Sequence, residues 1–189
     1  MSRLDIDWTY LKLANQVLAE YILLPEIYRS ITPVKWSIGP VGLSQLSIGN
    51  ILLSLRRLQT ISLSDSEQTE LTGICKQIEQ IRDRWRANWE RKALREFTDR
   101  QQLWQVYLDE LSTNKKLYSR IYPVQARLRV IIYLLVEEIG TTVINKDVRL
   151  ERQDNFLRSF STSGPFVWEA DLAGGFPEET CWFLYRAFN

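Results

Sequence analysis

The chain has 189 residues, 45% of them hydrophobic, which suffices for a sizeable core and excludes disorder along its whole length. Its 24 basic side chains nearly cancel 23 acidic ones, so the net charge of +1 gives no long-range steering toward nucleic acid or an anionic membrane, and a charge-driven partner has to be met by a local patch. Histidine is absent, which removes Ser–His and Cys–His nucleophile activation and nearly every catalytic zinc arrangement.

The first residues, Met1 to Asp7, place carboxylates where a secretory signal needs a positive region and an apolar run, so a cytoplasmic protein is expected. From Asp7 to Leu24, Trp8, Leu11, Ala14, Val17, Leu18, Tyr21 and Ile22 recur at three- and four-residue steps, the pattern of an amphipathic helix that Pro25 ends. Pro33, Gly39, Pro40 and Gly42 then break regular structure and leave Trp36 in a loop. A second helix is expected over residues 43–59, with Leu46, Leu53 and Leu58 inward. The uncharged window from Trp36 to Leu55 is too rich in Gly, Ser, Asn and Gln to span a membrane.

The dominant feature is a proline-free stretch over residues 64–111. Ser64 and Glu67 form a capping-box pattern at its start, and Leu71, Ile74, Ile78, Ile81, Trp85, Trp89, Ala93, Phe97, Trp104, Tyr107 or Leu108, and Leu111 form an inward stripe. One long, fairly straight helix is predicted there, because after Ile81 the steps become successive fours, too long for a left-handed coiled coil. Tyr122-Pro123 reads as a restart of helix that ends near Gly140, and residues 130–136 are apolar on every face, the mark of a buried element.

A shorter, more polar helix is expected from Asn145 to Phe160, where Asp147, Glu151 and Asp154 alternate with bases as on an ion-paired surface. Ser161 to Gly164 reads as a linker, and a terminal helix is expected from Pro177 to the chain end, with Glu178 and Glu179 at its positive pole. The predicted fold is therefore an all-α helical bundle built around one central helix. Its predicted organisation is a bundle over residues 1–160 and an aromatic C-terminal segment over 161–189 that packs on it as part of a single domain. Cys75 and Cys181 lie in apolar helical contexts as reduced, packed thiols.

Three constellations bear on function. Glu67-Gln68-Thr69-Glu70 and Glu96-Phe97-Thr98-Asp99 together resemble the E-x-x-E and E-x-x-D pattern of the all-α nucleotide pyrophosphohydrolases. That resemblance covers eight residues and implies magnesium held against a triphosphate by two antiparallel helices. On a single helix, Glu70 and Glu96 lie roughly 40 Å apart, so a shared ion requires a chain reversal near Asn88. Second, a projection at about 100° per residue gathers Arg84, Asn88, Arg91 and Arg95 on one flank of the stripe, where guanidinium forks match phosphate or an acidic partner. Third, Trp36, Phe166, Trp168 and Trp182 are aromatic candidates for a partner contact.

No phosphate-binding glycine loop occurs, since Gly39-Pro40-Val41-Gly42 fits neither standard pattern, and no metal site or cofactor is expected. The sequence favours a non-catalytic protein–protein interaction or assembly module, with a homo-oligomer compatible. The alternative is a nucleic-acid-binding protein using the arginine flank, and a third reading is the pyrophosphohydrolase.

Overall fold

Helix α1, Arg3–Leu23, follows the apolar repeat and buries Tyr10, Leu11, Ala14, Leu18, Tyr21 and Ile22 before the chain turns at Pro25. The computed structural model to which it belongs describes residues 3–31, 45–140 and 148–188, so the Trp36 loop lies outside the described residues. Among the described residues the protein is all-α, with a single pair of two-residue strands. No described helix is long and apolar enough to cross a membrane. The chain divides into two compact units, residues 1–96 and 97–189.

In the first unit α1 packs on helix α2, Ile48–Thr60, and on helix α3, Asp65–Arg84. Asp7, near the start of α1, accepts from Ser54 at 2.7 Å and faces Arg57 at 3.6 Å toward the end of α2. Tyr10 reaches the Gln45 carbonyl just before the start of α2, so the two helices run antiparallel. Lys12 pairs with Glu70 at 2.9 Å, and Asn15 donates to Gln77, which fixes α3 alongside. Arg29 and Leu46 exchange backbone hydrogen bonds and bring together the chain before and after residues 32–44. The capping box is formed as the sequence predicts: the Ser64 N–H donates to the Glu67 carboxylate at 2.8 Å, and the Glu67 N–H returns to the Ser64 hydroxyl.

The stretch expected as one helix over residues 64–111 is two. Helix α3 ends at Arg84, and helix α4, Arg86–Thr113, begins one residue later. Trp85 lies between them at φ −121° and ψ 43°; its N–H still bonds to Ile81, and its carbonyl accepts from Asn88 and Trp89. Each four-residue step turns an apolar stripe by about 40° around a straight helix, so the run Ile81, Trp85, Trp89 and Ala93 drifts off the inward face. The break resets the phase: Leu71, Ile74 and Ile78 are buried on α3, while Trp89, Ala93, Phe97, Trp104, Leu108 and Leu111 are buried on α4. The boundary between the units falls within α4, between Glu96 and Phe97.

The second unit continues through the short helix α5, Lys115–Tyr118, and a 3₁₀ turn, Ser119–Ile121, into helix α6, Tyr122–Ile139, with its proline in the first turn. Val130, Ile131, Ile132, Leu134 and Leu135 are buried, as the continuous apolar run requires, and Gly140 ends α6 at φ 85°. Helix α7, Val148–Phe160, follows residues 141–147, which are outside the described part, including Asn145 at its expected start. Asp154 does not belong to a solvated surface: it binds the Arg129 guanidinium through two 2.8 Å hydrogen bonds, with both side chains largely buried.

The tail also departs from expectation. Ser161 to Gly164 is no free linker, because strand β1, Thr162–Ser163, pairs antiparallel with strand β2, Arg186–Ala187. The terminal helix α8 covers only Glu178–Cys181 and passes through a 3₁₀ turn, Trp182–Leu184, into β2. Pairing with β1 competes with helix for the last backbone groups. The two segments approach so closely that a Cβ on Gly164 would lie 2.7 Å from that of Ala187. Trp168, Phe176, Cys181, Phe183 and Leu184 are buried within this unit.

Candidate functional site

Asn88, Arg91, Lys92 and Arg95 occupy positions i, i+3, i+4 and i+7 of α4, so they share one helix face. Opposite them the end of α1 and the turn after it supply Ile22, Leu23, Leu24 and Pro25. Together these eight residues line a pocket of about 200 Å³ in the first unit. Three of the four members of the predicted arginine flank are thus gathered at one place. The fourth, Arg84, does not line the pocket; its guanidinium lies 4.7 Å from the centre of the Trp85 ring.

Neutral groups hold the cationic heads. Arg95 Nη1 donates to the Pro25 carbonyl at 3.2 Å, Lys92 Nζ donates to the Glu26 carbonyl, and Arg91 Nη2 donates to Asn88 Oδ1 at 2.9 Å. Among the described residues none of the three forms an ion pair within 4.0 Å. Residues 32–44 contain no Asp or Glu at all. Along α3 and α4, Asp83 pairs with Arg82 at 3.4 Å and Glu90 with Arg86 at 3.1 Å. Arg91 and Arg95 are exposed, and each keeps most of its N–H donors free for another acceptor.

Lys92 lies outside the predicted flank, because the projection sets it between the flank and the apolar stripe. It is only 4% exposed, with its ammonium 4.1 Å from the centre of the Tyr21 ring. Desolvation holds that ammonium below the usual lysine range; the Glu26 carboxylate opposes this shift, and Arg95 adds to it. The Pro25 and Glu26 carbonyls were equally illegible, being brought to α4 by tertiary contact alone.

One turn along α4, Glu96 is fully buried and joins α4 to the start of α2. Its carboxylate accepts from Ser47 Oγ at 2.7 Å and from the Gly49 N–H at 2.9 Å, at the positive pole of α2. Burial, followed by the charge of Glu96, raises the Tyr21 phenol well above its ordinary range. Glu96→Ala leaves two buried donors without this acceptor, and a loss of about 3 kcal/mol is expected in urea unfolding. A loss below about 1 kcal/mol would show that the contact does not hold the unit together.

Two further carboxylates of the pyrophosphohydrolase-like pattern serve other roles: Glu67 caps α3 and Glu70 pairs with Lys12. Among the described residues no group of three or more Cys, Asp or Glu side chains is arranged to hold a metal ion. In the second unit the indole N–H of Trp168 donates to the Pro123 carbonyl at 2.7 Å, and Phe166 lies 5.1 Å from Tyr185 between ring centres. Trp182 is half-buried, with the Arg158 guanidinium 4.0 Å from its ring centre.

These features define an all-α protein with a small, open, cationic pocket on its first unit. The chain matches no family model, no curated protein and no solved structure.

Proposed function

We propose that the protein is a non-catalytic interaction module and that its partner places an anionic group in the pocket of Arg91, Lys92 and Arg95. The observation that carries this reading is that three cations line one pocket, oriented by neutral carbonyl and amide oxygens and, among the described residues, in no ion pair within 4.0 Å, with the Glu26 carboxylate acting on Lys92 only from beyond that distance. Arginine and lysine on a helix ordinarily find carboxylates at i±3 or i±4, as Arg86 and Glu90 do here. Pre-set donors that are not bonded to a carboxylate favour an incoming anion, because little ordering remains to be done on binding. The half-buried Phe166 and Trp182 are the aromatic residues through which the second unit would add contact.

Nucleic acid is the second reading, favoured by the presence of Asn88, Arg91 and Arg95 at the pocket. A glutamate-rich peptide and a duplex oligonucleotide, each fluorescently labelled, separate the two. The peptide is expected to bind, and the double substitution R91E/R95E to weaken it by at least about tenfold with an unchanged melting temperature. The oligonucleotide is expected to bind only weakly at physiological salt. Tight oligonucleotide binding, abolished by replacing Arg84, Arg91 and Arg95 with glutamate and flattened in salt dependence, would establish the second reading instead.

A further inference from the structure

We infer that the group taken by the Arg91, Lys92 and Arg95 pocket is a single phosphomonoester. This inference rests on the interaction reading and sharpens it. The cavity, about 200 Å³, is smaller than the sites that enclose whole drug-sized ligands, so it admits one terminal group and not a large molecule.

The cations are local. Arg86 is paired with Glu90, Arg82 with Asp83, and Arg84 is laid on Trp85, so no continuous cationic track extends from the pocket along the helix. A polyanion backbone needs such a track; a single headgroup does not. Arg91, Lys92 and Arg95 line the pocket together with the apolar Ile22, Leu23 and Leu24. A carboxylate offers two oxygens and one charge, which leaves most of this field unmatched. A phosphomonoester carries close to two charges near neutral pH on its terminal oxygens, which suit the fork geometry of arginine. Lys92 adds to this: the residue is 4% exposed and, among the described residues, makes no ion pair within 4.0 Å, and the Glu26 carboxylate opposes its desolvation without cancelling it, so a dianion offsets more of that cost than a monoanion.

A phosphomonoester reaches such a site either on a phosphorylated side chain of a partner protein or on a small metabolite. The test uses sn-glycerol 3-phosphate, a phosphoserine peptide, its unphosphorylated parent and the glutamate-rich peptide, titrated calorimetrically into the full chain. Glycerol phosphate and the phosphopeptide are expected to bind, the parent peptide to bind at least about tenfold more weakly than the phosphopeptide, and R91E/R95E to remove both phosphate signals. Lys92→Met, which keeps the aliphatic stem, is expected to weaken both without unfolding the protein. A phosphopeptide that binds much more tightly than glycerol phosphate assigns the phosphate to a protein partner; equal affinity assigns it to a metabolite. Binding of the glutamate-rich peptide alone would overturn the phosphate inference and leave the interaction reading standing. Phosphate binding untouched by the substitutions would overturn the inference by placing the site elsewhere, and no binding by any probe would overturn both.

Discussion

Truncation after Gly164 is expected to abolish cooperative folding of the second unit. The deleted residues include the buried Trp168, Leu172, Phe176, Cys181, Phe183 and Leu184, and they supply strand β2 as the partner of β1. They also close over α6: the Tyr122 hydroxyl donates to the Phe183 carbonyl, and its ring meets Phe188 at 4.7 Å between centres. Burial of each large side chain contributes about 1.5–3 kcal/mol. Losing five of them is comparable to the roughly 5–15 kcal/mol that stabilises a typical domain. Circular dichroism melting of the truncated chain should show a missing or strongly lowered transition, with aggregation. An unchanged melting temperature would mean that the aromatic tail is not part of the fold and is free to dock elsewhere.

Asp154→Ala is expected to destabilise the second unit by about 3–5 kcal/mol, because it strands the Arg129 charge in a buried position. The Arg129 side chain is 8% exposed and lies 4.4 Å from the centre of the Phe183 ring. Its double hydrogen bond to Asp154 is the ionic contact that compensates burial. If that is the cause, Arg129→Met combined with Asp154→Leu should recover most of the loss in chemical denaturation, since an apolar pair of similar volume leaves no buried charge. Additive losses in the double variant would instead locate the effect in packing.

Much of this fold can be read in the residues themselves. The Leu11, Ala14, Leu18 and Ile22 spacing gives α1, Ser64 with Glu67 gives the start of α3, and the run from Val130 to Leu135 gives the buried α6. The break at Trp85 has no proline or glycine to announce it. Its trace is the change to four-residue steps after Ile81, which fits a single straight helix equally well until neighbouring helices fix which face is inward. The tail shows the same limit, because Pro177 marks where helix starts, but only pairing between residues far apart in sequence decides that Arg186 and Ala187 end as strand.

The pocket is legible in the same partial way. Asn88, Arg91 and Arg95 fall on one flank by helical geometry alone. Lys92 escapes that projection, and the carbonyls of Pro25 and Glu26 reach α4 only because α1 and the turn after it pack there. Glu96 illustrates the reverse error: it fits a metal-binding spacing in the sequence and serves in the structure as a buried acceptor for α2.

The most direct test of the pocket as the site of anion capture is an NMR titration that follows the side-chain Nε–Hε signals of the arginines as the glutamate-rich peptide is added. Saturable shifts are expected at Arg91 and Arg95, with Arg84 on Trp85 and Arg129 on Asp154 unmoved. Shifts of equal size at all exposed arginines, or none at Arg91 and Arg95, would contradict it.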